Sequence, residues 1–327
     1  MTAPALDIER LEVVFHTARQ DLFAVREVSL RVEPGEVVGL VGESGSGKSV
    51  AMMSVMRLLD PKTSSTSAEK LVVEGRDILS LSRRDIEDLR GRVVSYVFQD
   101  ALTALNPVLS VGRQLTEVLR RHRGFSREEA RAGAVALLAE VGISDPERRV
   151  GDYPHQFSGG MRQRAMIAMA LAARPHLLIA DEPTTALDVT VQAEIVNLVQ
   201  RLQAAEGMTM IWVTHDLALL ARLARRVVVM YAGRIVEDSP AAILYEAPAH
   251  PYTAGLLAST SRIDRPFGSQ AGIAGSPPDP YAEITACAFL PRCPRAGERC
   301  GKEIPPLADV GAGRKAACFH PLPAGVA

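Results

Sequence analysis

The octet GESGSGKS at residues 42–49 restricts what this chain can fold into more than any other stretch. Apolar EVVGLV runs into it, and SVAMMSVMRLL leaves it with helical spacing. A strand, a glycine-rich turn and a helix in that order let successive backbone N–H groups curl inward at a helix N-terminus. There the helix dipole adds to their attraction for an anion. Gly42, Gly47, Lys48 and Ser49 fill the pattern G-x-x-x-x-G-K-[ST], in which the lysine reaches the outer phosphates of a nucleotide and the serine hydroxyl meets Mg²⁺. The expected nucleotide contacts here are Gly42, Glu43, Ser44, Gly45, Ser46, Gly47, Lys48 and Ser49, with Val50 directly behind them. The alternative is a chance Gly/Ser-rich turn, which the strand before and the helix after disfavour.

Later residues suit the same chemistry. In LLIADEP an apolar run ends in acids, so Asp181 would face a metal and Glu182 would polarise an attacking water. Alone, that Asp-Glu pair also reads as a solvated strand end. His215 in IWVTHD and Gln99 in VFQD carry the same two readings: a γ-phosphate contact against a capped surface histidine, and a metal ligand against a strand-end amide. The stretch FSGGMRQR puts Ser158, Gly159 and Gly160 before a helix, a second N-terminal anion site in one chain. One nucleotide cannot easily use two such loops from one subunit. A dimer that clamps each ATP between one chain's lysine loop and its mate's serine-glycine loop solves this simply.

Composition bounds the remaining possibilities. A formal net charge of −1 gives no case for non-specific nucleic-acid binding, and 47% hydrophobic content in 327 residues supplies a sizeable core. No apolar run reaches the length of a membrane span, since AMIAMALAARPHLLIA is broken by Arg174, Pro175 and His176. The opening MTAPALDIERLEVVF lacks the basic and apolar regions of a secretory signal. Residues 6–41 alternate as strands. Charged helical segments dominate about 90–158, including SREEARAGAVALLAEVGI with Ser126 as N-cap and Glu129 three residues on. Strands and helices then alternate to about 245, which predicts a largely parallel sheet. RPFGSQAGIAGSPPDP reads as linker. All four cysteines follow it, spaced C-x5-C-x6-C-x17-C, as a metal or cluster site would group them. Four thiolates can hold a [4Fe–4S] cluster or a tetrahedral zinc, though no paired C-x2-C knuckle occurs; unligated thiols are the third reading.

In their order, GESGSGKS, VFQD, FSGGMRQ, LLIADEP, TALD and VTHD resemble the ATP-binding subunit of ABC transporters over roughly residues 6–245. The resemblance implies an α/β fold: a P-loop ABC ATPase core with an antiparallel β subdomain, an inserted α-helical subdomain and a C-terminal Cys-rich extension. It implies an ATP-binding domain at 1–245 and the extension at 246–327. By position, Gln99 resembles the Q-loop, Ser158 to Gln163 the signature, Asp181 the Walker B aspartate and Glu182 the catalytic base. Ala186 to Asp188 resemble the D-loop and His215 the switch histidine. Ser49, Gln99 and Asp181 would hold Mg²⁺, and Phe15 would stack on adenine.

FQDALTALNP, HPYTAGLLAS and the cysteine tail are similar to the ATPase subunit of bacterial oligopeptide and dipeptide importers, a group that includes nickel and glutathione systems. That likeness implies a [4Fe–4S] cluster on Cys287, Cys293, Cys300 and Cys318. It also implies a second ATP-binding subunit in a heterodimer, two permease subunits, an extracytoplasmic solute-binding protein and a place on the cytoplasmic face of the membrane. Taken alone, HPYTAGLL reads as a turn and a helix with core packing. The rival readings are a soluble clamp on DNA or the ribosome and a non-catalytic binding module. The first sits badly with a single cassette lacking heptads or net positive charge, and the second would need Lys48 or Glu182 replaced.

Overall fold

The computed structural model describes residues 3–184, 187–259 and 272–323. Contacts divide the chain into two compact units, Met1–Ser80 with Trp212–Ala327, and Leu81–Ile211.

The first unit holds two sheets. In one, β1 (Leu6–His16) pairs antiparallel with β2 (Asp21–Val32). On its other side β1 pairs with β4 (Ser64–Ser67) and β5 (Lys70–Val73), and β6 (Arg76–Asp77) follows β5. Alternation along β1 and β2 puts Leu11, Val13, Val28 and Leu30 inside, as an antiparallel sheet with one wet face requires. In the other sheet β3 (Val37–Val41) is buried throughout and runs parallel to β10 (Arg226–Tyr231). A continuous apolar run with no polar alternation is what a strand covered on both faces needs. The stretch RVVVMYAGRIVE, a single run in sequence, is two strands. Ala232 (φ 48°) and Gly233 (φ 81°) fold it into a hairpin of β10 and β11 (Arg234–Pro240). The extension adds the short β12 (Ala308–Gly311) and β13 (Arg314–Ala316), and β13 pairs with β11.

In the second unit β7 (Val94–Val97) lies parallel to β8 (Leu177–Asp181). Helices 111–123, 127–140, 159–171 and 189–206 belong here. Ser126 caps its helix as expected: its Oγ accepts the Glu129 N–H, and the Glu129 carboxylate accepts the Ser126 N–H at 2.8 Å. The remaining strand, β9 (Thr209–Thr214), leads to His215. In one respect the expected helices are too long: the helix after the glycine octet ends at Val55 rather than reaching Leu59.

Candidate functional site: the phosphate loop and the carboxylate end

β3 delivers the chain into the loop and the helix Lys48–Val55 leaves it. The turn is available only to glycine. Gly47 sits at φ 98°, and a Cβ there would lie 2.4 Å from the Ala24 carbonyl; one on Gly42 would lie 2.2 Å from that of Met230. Lys48 is buried, and its Nζ donates to the carbonyls of Gly42 (2.8 Å) and Glu43 (2.9 Å). The ammonium is thereby held against the loop's own backbone, with the Ser46 hydroxyl also accepting from it at 3.3 Å. The β10–β11 turn braces the loop from behind, the Gly233 N–H donating to the Ser46 carbonyl at 3.0 Å. Phe15 on β1, residues 44–47 of the loop and Val50 line one cavity of about 520 Å³, within the range of small-molecule sites. His215 is exposed after β9, ahead of a helix capped by Asp216.

Two residues of this loop's surroundings escaped the sequence reading. The Glu43 N–H donates to the Tyr252 hydroxyl at 2.9 Å, so the HPY segment is more than core packing. The Glu43 carboxylate accepts Nη1 and Nη2 of Arg292 at 2.8 and 3.0 Å. Arg292 precedes a cysteine and belongs to no motif; its side chain is only 4% exposed. Its hydrogen bond to Glu43 raises its pKa further, while burial pushes up that of Tyr252.

In the second unit, the register Val97↔Ala180 between β7 and β8 brings the ends of two motifs together. Gln99 Nε2 donates to the Glu182 carboxylate at 3.2 Å, and the Tyr96 hydroxyl donates to Asp181 at 2.7 Å. Burial, then the Asp181 charge, holds the Tyr96 proton in place by raising its pKa. Tyr96 was invisible in sequence because VSYV reads simply as a buried strand. Glu182 adopts φ 45°, a left-handed conformation that side chains other than glycine enter at a cost, at the very residue expected to act as base. Asp181 and Gln99, like Ser49, offer the hard oxygen donors that Mg²⁺ prefers.

Ser158 caps the helix Gly159–Leu171, its Oγ accepting the Met161 N–H. Gly159 is exposed, with open space where a Cβ would stand, so this helix end is approachable. Phe157 is buried beneath it. Gln163 is placed differently: its side chain is buried, and Nε2 has no hydrogen-bond partner among the described residues. Asp188 caps the helix Val189–Glu206 through Oδ1 and the Val191 N–H. Ala186, expected beside it in the D-loop, lies outside the described residues.

The four cysteines are free and converge: every pair among Cys287, Cys293, Cys300 and Cys318 interacts electrostatically. Burial pushes the Cys318 thiol up to about 11. No set of three or more His, Cys, Asp or Glu among the described residues is arranged to hold a metal ion. Zinc draws its sulfurs to about 2.3 Å from one centre. The four thiols show no such common centre among the described residues.

A phosphate loop on β3 and a carboxylate end on β8 define the cassette of an ABC ATPase. The family model "ABC transporter" matches residues 25–185, and "Oligopeptide/dipeptide transporter, C-terminal region" matches 236–300. A Brucella abortus (strain 2308) ATP-binding protein named for peptide import is 49% identical over 328 residues, 97% of each chain. The dipeptide transport ATP-binding protein DppD of Escherichia coli (strain K12) is 45% identical over 317 residues, 97% of each. Among solved structures, the dimeric bacterial ABC transporter cassette MJ0796 aligns with a TM-score of 0.64 and 28% identity, covering 72% of this chain and 98% of that one. The chain belongs to the ABC transporter ATP-binding proteins that carry the oligopeptide/dipeptide transporter C-terminal region.

Proposed function

We propose that this chain hydrolyses ATP to drive import of dipeptides or oligopeptides, docked as a peripheral subunit at the cytoplasmic face of a membrane. The observation that carries the catalytic part is the Gln99–Glu182 hydrogen bond beside a Tyr96-oriented Asp181. A carboxylate fixed this way, next to a hard-oxygen metal ligand, can take a proton from attacking water. The loop amides and Lys48 hold the β- and γ-phosphates, Phe15 stacks on adenine, and His215 touches the γ-phosphate. Ser49, Gln99 and Asp181 would hold Mg²⁺, which would supply positive charge against the phosphates.

The open helix end at Ser158 and Gly159 supports a site completed by a second cassette. Asp188 belongs to that shared face, while the buried Gln163 supports it from within the helix, and the dimeric relative MJ0796, one form of which is bound to ADP and Pi, favours the same arrangement. No described helix is long and apolar enough to cross a membrane, so translocation falls to partners: two permease subunits, fed by a solute-binding protein. The ATPase pair is a heterodimer. Peptide as the cargo is supported by relatives named for peptide import and dipeptide transport. The ATP-binding domain spans 1–245, and the extension at 246–327 carries a [4Fe–4S] cluster on its four cysteines.

Glu182→Gln tests the assignment. Steady-state ATPase activity of the transporter should fall by about 10²–10⁴-fold, the usual share of a general base, while ATP binding persists. Turnover within a few-fold of the parent would remove Glu182 from the role.

A further inference from the structure

Residues 277–280, the end of the stretch read in sequence as linker, stand with Ile284 in the wall of the nucleotide cavity. Pro277, Pro278, Pro280 and Ile284 line the same space of about 520 Å³ as Phe15 and the phosphate loop. The segment is fastened there. The Pro280 carbonyl accepts the Phe23 N–H (3.2 Å) and Arg26 Nη2 (3.3 Å), and the Ala282 carbonyl accepts Arg26 Nη2 at 2.8 Å. Arg26 is buried, with its guanidinium 4.9 Å from the Phe23 ring centre. Of the two acids in the segment, Glu283 faces the Arg26 charge, and Asp279 accepts the Tyr281 N–H at 2.9 Å through its carboxylate and the Ala282 N–H at 3.0 Å through its carbonyl, forming a local turn.

The two parts of this wall have different chemistry. The loop presents N–H groups suited to phosphate. The proline segment presents stiff hydrocarbon, with no N–H at the prolines and little freedom left to lose on binding. Such a surface suits a flat heterocycle and its sugar. We propose that the C-terminal extension is part of the nucleotide site: Pro277 to Ile284 form the wall that packs against the base and ribose of the ATP held by the loop. This rests on reading residues 42–49 as the phosphate site. It makes the extension a determinant of nucleotide affinity, beyond any role in assembling the transporter.

Equilibrium binding of two ligands to the full-length chain separates the parts. Ile284→Asp puts a charge in the wall, and Arg26→Ala unfastens it. In each variant the Kd for ATP should rise about tenfold, the effect of losing a modest apolar contact, while inorganic tripolyphosphate binds within about twofold of the parent. ATP affinity within about twofold in both variants would overturn the wall, as would an equal loss for tripolyphosphate. Lys48→Ala provides the control: if it weakens neither ligand, the loop reading itself fails. If it weakens both while Ile284→Asp and Arg26→Ala spare both, the wall alone is refuted.

Discussion

Replacing Arg292 with methionine keeps most of the apolar stem of the side chain while removing five N–H donors and a charge. In the parent, the guanidinium gives two hydrogen bonds to Glu43 and further bonds to the Ile273 and Ala274 carbonyls at 3.2 Å each. Removing one partner of a fully buried ion pair costs about 3–5 kcal/mol, because a charge is left unpaired in a dry site. Here the Glu43 side chain is 29% exposed, so water can return to it and the loss should shrink to roughly 2–3 kcal/mol. Urea denaturation of Arg292→Met, Glu43→Gln and the double variant gives the coupling directly. The expected value is at least about 1 kcal/mol, together with faster hydrogen exchange at the Glu43 amide, whose acceptor is Tyr252. Coupling below about 0.5 kcal/mol, with unchanged exchange, would show that the pair does not hold the loop.

Two smaller effects follow from other parts of the chain. Ser126→Ala removes one side of the capping box on the helix Arg127–Glu140 and should cost about 1 kcal/mol in urea unfolding, whereas Ser126→Asp should restore most of it. The buried His250 ring accepts the Tyr252 N–H through Nδ1, and burial lowers its pKa from 6.5 to about 4. The unfolded chain therefore takes up a proton in that window which the folded one refuses, so stability rises with pH between about 4 and 6.5 and this contribution is flat above it. Between pH 6.5 and 5 the change is about 2 kcal/mol, and His250→Asn, whose oxygen can replace Nδ1 as acceptor, should flatten that part of the curve.

What could be read in the sequence was local. The octet 42–49 contains its strand entry, its turn and its helix start within a few residues, so its geometry follows from backbone sterics alone. The Ser126–Glu129 box is local in the same way. Tyr96 acquires its role only when β7 finds its register against β8, across more than eighty residues of chain. Tyr252 and Arg292 reach Glu43 over separations of 209 and 249 residues, which no periodicity encodes. Composition misled at the proline-rich stretch. Residues 265–271 lie outside the described chain, but 277–284 are fastened to β2 by the Arg26 side chain and the Phe23 backbone amide. Gln163, adjacent in sequence to the exposed signature turn, is buried by the helix that turn begins.

The place of Arg292 gives the cysteines a mechanical consequence. It ends a short 3₁₀ turn, Leu290–Arg292, between Cys287 and Cys293, and the Cys287 N–H donates to the Cys300 carbonyl at 3.0 Å. A segment this short has little hydrophobic core, so its stiffness depends on what joins its thiols. Arg292 can present both guanidinium nitrogens to Glu43 only while that backbone stays fixed. Cys293→Ser should then act at a distance. The brown absorbance of an anaerobically purified cluster-bearing protein should bleach, and exchange at the Glu43 amide should quicken about as much as in Arg292→Met. Bleaching with exchange unchanged would mean that the hydrogen bonds of the turn hold Arg292 without the cysteines. A colourless, iron-free parent would remove the cluster and leave the Arg292–Glu43 pair standing on its own geometry.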